Sequence, residues 1–102
     1  MTQRRVVVTG MGMISPIGHT VEASWKAAVA GESGIKLNES FDTTDFAVKI
    51  SGSGGALDIS PYMNPKEARR IDEFIQLGSA AASHAIQDAG LESHPSDADR
   101  MA

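Results

Sequence analysis

The chain has 102 residues, of which 41% are hydrophobic but only 5% aromatic, so it is long enough for one small domain with a small core. Its formal net charge of -4 argues against a general nucleic-acid binder, and no apolar run approaches the roughly 18 residues that a membrane span needs. The sequence contains no cysteine, which excludes disulfides and thiolate chemistry within it. The first apolar run is too short for a secretory signal, and a cytoplasmic location is expected.

The first predicted element is a strand at residues 6–9. Three valines and a threonine form a β-branched run without polar alternation, which is typical of a strand that is buried on both faces of a sheet. Such a strand needs neighbours on both edges, yet the sequence offers one other strand candidate, at residues 46–50. We therefore expect the chain to be the N-terminal part of a larger domain whose remaining strands follow residue 102.

A glycine-rich turn follows this strand. Gly10 and Gly12 resemble the first two glycines of a dinucleotide-binding turn, in which backbone N–H groups hold a pyrophosphate. The third glycine of that motif would fall at Ser15, and Pro16 and Gly18 stand where the helix should already be running. We interpret the turn as structural, because glycine permits positive φ angles and close backbone packing. A small dinucleotide-binding domain is the weaker alternative.

A short helix is predicted after the turn, with Thr20 as its N-cap and Gly31 as its C-terminal stop. The region from residue 32 to residue 60 is rich in Gly, Ser and Asp and is predicted to form loops. The exception is the candidate strand Phe46 to Ile50, in which apolar side chains alternate.

The second half of the chain predicts a longer helix that begins near Lys66. Asn64 supplies an N-cap, and Pro65 suits the first turn. Asp72 could instead cap a second helix after a break near Ile71, so both one helix and two helices fit the pattern. Gly90 is expected to end the helical region.

Two arcs are expected around this helix. The apolar arc consists of Ile71, Phe74, Ile75, Leu77, Gly78, Ala81, Ala82, Ala85, Ile86 and Ala89. The polar arc consists of Asp72, Gln76, Ser79, Ser83 and Gln87. The small residues in the apolar arc predict that another part of the protein approaches the helix backbone closely.

The three histidines are His19, His84 and His94. Their spacing does not place two of them on one helix face with a carboxylate, and no metal site is expected. We interpret His84 as a surface or interface residue.

Four separated blocks carry a resemblance to a known family: "RRVVVTGMGMISPIG", "SWKAAVAGESGI", "FDTTDF" and "RRIDEFIQLGSAAASHAIQDAGL". In this order and spacing they resemble the N-terminus of the β-ketoacyl-acyl carrier protein synthases, the condensing enzymes of bacterial fatty acid synthesis. The resemblance implies an α/β, thiolase-like fold of layered αβαβα architecture with mixed five-stranded sheets. Residues 1–102 would form the N-terminal segment of its N-terminal half.

The resemblance also implies a reaction, the decarboxylating Claisen condensation of an acyl-enzyme thioester with a malonyl carrier protein. The family uses one cysteine and two histidines, and none of them maps onto this sequence; neither His19 nor His84 occupies a matching position. The chain should be inactive alone, no cofactor is expected, and the full-length protein should be a homodimer.

A basic patch is formed by Lys66, Arg69 and Arg70, whose spacing places them on one face if the segment is helical. The resemblance implies that these positions contact the acidic acyl carrier protein. The alternative for the patch is an ordinary solvated charge cluster. The alternative for the whole chain is a non-catalytic carrier-binding or heterodimer partner, comparable to the chain-length factors, in which the nucleophile is replaced.

Overall fold

The computed structural model describes residues 2–91, and His94 lies outside them. The helices and strands of this part are α1 (Val21–Val29), β1 (Ile35–Leu37), β2 (Ile50–Gly52), α2 (Pro65–Ala68) and α3 (Glu73–Ala89). The two strands pair antiparallel, with Ile35 opposite Gly52 and Leu37 opposite Ile50. None of the helices in these residues is long and apolar enough to cross a bilayer.

Helix α1 begins and ends where the sequence predicts. The Thr20 hydroxyl accepts a hydrogen bond from the N–H of Ala23 at 3.0 Å, which satisfies one of the unpaired donors of the first turn. At the other end Gly31 has a φ of 75°, a left-handed conformation that glycine adopts without steric cost. Both predicted boundaries are confirmed.

The helical region of the second half is divided into two helices. The Asn64 side chain accepts a hydrogen bond from the Lys66 N–H at 2.9 Å, and α2 ends one turn later at Ala68. Asp72 then has extended backbone angles, φ -67° and ψ 152°, and precedes α3, although its carboxylate makes no capping hydrogen bond. Gly90 ends α3 in the left-handed conformation, as predicted.

The predicted strand at residues 6–9 is wrong for the described structure. These residues make no backbone ladder, and Val6, Val7 and Val8 are 95%, 73% and 79% exposed. The β-branched run favours an extended chain, but a strand also requires a hydrogen-bonded neighbour, and no strand of residues 2–91 lies beside it.

The second predicted strand is displaced along the chain. Instead of residues 46–50, the strand is β2 at Ile50–Gly52, and its partner β1 lies in a region that the sequence pattern predicts as loop. The Lys49 ammonium donates to three carbonyls just before β2, those of Thr43, Thr44 and Phe46, at 2.9, 3.0 and 2.9 Å. These bonds hold residues 43–46 in a turn, and the Asn38 N–H donates to the Lys49 carbonyl at 2.8 Å just before the paired residues begin at Ile50.

The buried core of the described residues is small. It consists of Ala27, Ala68, Ala80 and the polar Ser24, and no large side chain among residues 2–91 is fully buried. Other described residues cover only part of the expected apolar arc of α3, and Phe74 and Ile86 on this arc remain 71% and 46% exposed. The completely buried Ala80 stands outside the predicted arc, so the buried face of α3 is rotated from its predicted position toward Ala80.

Candidate functional site

The glycine-rich turn packs directly on the backbone of α3. A β-carbon on Gly12 would lie 1.8 Å from the carbonyl oxygen of Ala81, and one on Gly10 would lie 2.4 Å from that of Ala85. Neither glycine has a positive φ, so the expected conformational role is wrong here, whereas the expected close approach to the helix is confirmed. The turn is therefore structural.

This packing also removes the dinucleotide-binding alternative for the turn. A pyrophosphate would have to lie where Gly10 and Gly12 meet α3, and backbone atoms of the helix already occupy that space. A dinucleotide-binding turn also needs a helix that begins directly after the glycines. Residues 15–18 instead form a turn in which the Ser15 N–H donates to the Gly18 carbonyl at 2.8 Å.

Ser24 and His19 tie the turn to its surroundings. The buried Ser24 hydroxyl lies 2.7 Å from the Ser15 hydroxyl and donates to the Gly18 carbonyl at 3.2 Å. The His19 Nε2 donates to the carbonyl of Gly54 at the edge of an open cleft of about 1020 Å³. The ring is engaged in a backbone contact, and among residues 2–91 no three His, Asp or Glu side chains come together as metal ligands do.

His84 joins α3 to the segment that precedes α2. Its Nε2 lies 2.6 Å from the Tyr62 hydroxyl, and the two rings meet edge to face with centroids 5.4 Å apart. The ring is half-buried, and its Nδ1 is buried without a partner among the described residues. His84 is therefore held in a contact within the chain and is not a free surface residue, whereas its expected place at an interface stays a prediction.

Two aspartates have a lowered pKa, and both belong to loop turns. The Thr44 hydroxyl and then its backbone N–H donate to Asp42, which holds the pKa of that carboxyl below its ordinary value. Ser60 lowers the pKa of Asp58 in the same way. Hydrogen bonds to a carboxylate favour its charged form. Both carboxyls are exposed, and their role is to shape the turns rather than to exchange protons with a substrate.

The basic patch is exposed and follows a single helical turn. Lys66 lies within α2, Arg69 is the C-cap of that helix with φ -66° and ψ -18°, and Arg70 follows with its N–H donating to the Glu67 carbonyl at 3.0 Å. The ion pair found in the described part of the chain joins Lys26 to Glu22 and involves none of the three patch residues. The cationic groups of the patch are thus open to an acidic partner.

Gln76, which the sequence places on the polar arc of the helix, contacts the segment that carries the two arginines. Its side-chain amide donates to the carbonyl of Ala68 at 2.8 Å and to that of Ile71 at 3.3 Å, on either side of the two arginines. A signal was available in principle: the glutamine stands in the first turn of a helix that follows directly on another helix end, where a carbonyl such as that of Ile71 accepts no backbone N–H of the described residues.

The comparisons with known proteins agree with the fold. The family model described as "Beta-ketoacyl synthase, N-terminal domain" matches residues 3–102, and the chain belongs to this family. The resemblance carried by the four sequence blocks is confirmed. The chain is 52% identical over 101 residues to the 3-oxoacyl-[acyl-carrier-protein] synthase 2 of Vibrio cholerae, a match that covers 99% of the chain and 24% of that protein.

Two further comparisons agree with membership of this family. Identity to the 3-oxoacyl-[acyl-carrier-protein] synthase 2 of Staphylococcus aureus strain COL is 40% over 98 residues, or 96% of the chain and 24% of the relative. Among solved structures, the ishigamide ketosynthase/chain length factor matches with a TM-score of 0.78 and 33% identity, over 88% of this chain and 22% of that chain. The fold is thiolase-like, as expected, and the chain spans about a quarter of the length of these relatives.

Proposed function

We propose that this chain is the N-terminal segment of a β-ketoacyl-acyl carrier protein synthase that elongates fatty acyl chains. The observation that carries the proposal is the identity of 52% and 40%, over almost the whole chain, to proteins named 3-oxoacyl-[acyl-carrier-protein] synthase 2. Residues 1–102 would belong to the N-terminal half of the enzyme. The exposed valines at residues 6–8 and the uncovered side of α3 would then pack against elements outside this chain.

The reaction is a decarboxylating Claisen condensation of an enzyme-bound acyl thioester with a malonyl carrier protein. Splitting the reaction through a covalent thioester makes each step easier, and backbone N–H donors stabilise the oxyanion that forms. This chain contains no cysteine, so the nucleophile comes from elsewhere in the full-length protein and the chain is inactive alone. A cytoplasmic homodimer is part of the proposal.

The basic patch supplies a contact for the carrier protein. Lys66, Arg69 and Arg70 are exposed cations, and no carboxylate in the described residues pairs with them. An acidic carrier would be attracted to such a cluster, which raises the association rate and orients the incoming acyl group.

Charge reversal in the full-length enzyme tests this role. Changing Lys66, Arg69 and Arg70 together to Glu should slow carrier association about tenfold at low salt, with a smaller effect at high salt, because attraction over distance is screened. Activity with a carrier-free acyl thioester should not change. The matched control reverses three other exposed cations, Arg4, Arg5 and Lys36. Equal losses with both substrates would contradict recruitment.

A second candidate is a non-catalytic partner subunit, which the match to the ishigamide ketosynthase/chain length factor favours. Incubation of the full-length protein with an acyl-loaded carrier protein, followed by peptide mass spectrometry, separates the two. An acylated cysteine identifies the synthase, and the absence of any acylated peptide identifies the partner.

A further inference from the structure

One side chain, that of Gln76, bridges the connection between α2 and α3, in addition to the backbone hydrogen bonds of that connection. Helix α2 has a single turn, and its last carbonyl, that of Ala68, accepts the Ile71 N–H at a distance of 3.3 Å, while no backbone N–H of the described residues bonds to the Ile71 carbonyl. The amide of Gln76 reaches back from α3 and donates to the Ala68 carbonyl at 2.8 Å and to the Ile71 carbonyl at 3.3 Å. Because both partners are acceptors, only the NH₂ group of the amide can make these bonds, which defines the orientation of the side chain.

The two acceptors bracket the arginines of the basic patch. Ala68 immediately precedes Arg69, and Ile71 immediately follows Arg70. Ala68, at the α2 end of the connection, is buried with 5% of its surface exposed. Gln76 is half-buried and belongs to the 17-residue helix α3. The two arginines therefore lie on a short segment that is fixed at both ends to a long helix.

We propose that Gln76 is a positioning residue that holds the basic patch in the conformation that meets the carrier protein. A segment that is ordered before binding loses less conformational entropy when the partner docks, so its affinity is higher. Without the two hydrogen bonds, the backbone around Arg69 and Arg70 samples other conformations, and the patch has to be ordered on binding. This inference rests on the proposed carrier contact.

The test replaces Gln76 by Met in the full-length enzyme, which keeps the length of the side chain and removes both donors. Gln87→Met on the exposed side of the same helix is the matched control. For Gln76→Met the KM for the acyl carrier substrate should rise about threefold to tenfold, which is the size expected for two neutral hydrogen bonds, while kcat stays unchanged. Kinetics with a carrier-free acyl thioester should match the control. Amide exchange at Arg70 and Ile71, whose N–H groups bond within this segment, should be faster.

The outcomes separate the inference from the function on which it rests. If charge reversal of the patch slows carrier association but Gln76→Met behaves as Gln87→Met does, the inference is wrong and the carrier contact stands. If charge reversal has no effect, both fail. Equal losses with carrier and carrier-free substrates would show a general structural role and would also overturn the inference. Should the Met variant not fold, Gln76→Ala against Gln87→Ala repeats the comparison with a residue of high helix propensity.

Discussion

The β-carbon that Gly12 lacks would lie 1.8 Å from the carbonyl oxygen of Ala81. No pair of non-bonded atoms tolerates that distance, and the neighbour is helix backbone rather than a side chain that could turn away. The glycine is therefore required by the contact between the turn and α3, and this contact brings the start of the chain onto the longest helix of the described residues.

Gly12→Ala should lower the stability of the protein by about 3 kcal/mol, because the helix has to move away from the turn. Gly31→Ala is the matched control: Gly31 has a φ of 75° but no atom within 4 Å of its added β-carbon. That variant should cost only about 1 kcal/mol, from the left-handed backbone alone. Urea unfolding of both variants measures the difference, and a larger loss at Gly31 than at Gly12 would contradict the close contact.

Ser24→Ala removes a buried hydroxyl that bonds to Ser15 and to the Gly18 carbonyl. We expect a loss of about 1 kcal/mol, since a neutral hydrogen bond contributes on that order and the Gly18 carbonyl keeps its bond from the Ser15 N–H. A double-mutant cycle with Ser15→Ala should show that the two losses are not additive. Strict additivity in thermal unfolding would show that the two hydroxyls do not interact.

Thr44→Ala should raise the pKa of Asp42 toward its ordinary value of 3.8, because both hydrogen bonds that lower it come from Thr44 and the hydroxyl bond is lost. A carboxyl with a lowered folded-state pKa contributes stability above its unfolded pKa and loses it as the pH falls through the folded pKa. The contribution is therefore present at neutral pH and disappears in acid below about 3.8.

Titration of the side-chain carboxyl by NMR measures this change. Ser60→Ala serves as the control, because it should raise the pKa of Asp58 and leave Asp42 as it was. An unchanged Asp42 titration in Thr44→Ala would contradict the assigned cause.

The features that the sequence predicted correctly are local ones. Thr20, Asn64 and Gly90 act on the backbone within one helical turn of themselves, so residue type and spacing were sufficient to place the helix ends. The close packing on α3 was also predictable, because an alanine-lined face leaves no bulk between the helix and its neighbour.

The features that the sequence missed depend on distant parts of the chain. Val6 to Val8 have the residue types of a strand, but strand formation needs a partner that local pattern does not specify. Strand β1 has no strong pattern of its own and is defined by its pairing with β2, which lies beyond an intervening loop. The polar side chain of Gln76 suggests a position on the solvent side of α3. The carbonyls to which it donates can be recognised only once the positions of α2 and α3 are known.

The exposed segment Val6 to Val8 has a consequence for the behaviour of the protein in solution. An uncharged β-branched run whose N–H and C=O groups make no hydrogen bonds within the described residues is a template onto which another extended chain can add. Molecules in the described conformation should therefore self-associate as their concentration rises, and a chaperone that binds extended apolar peptides should recognise Val6 to Val8, which are 95%, 73% and 79% exposed.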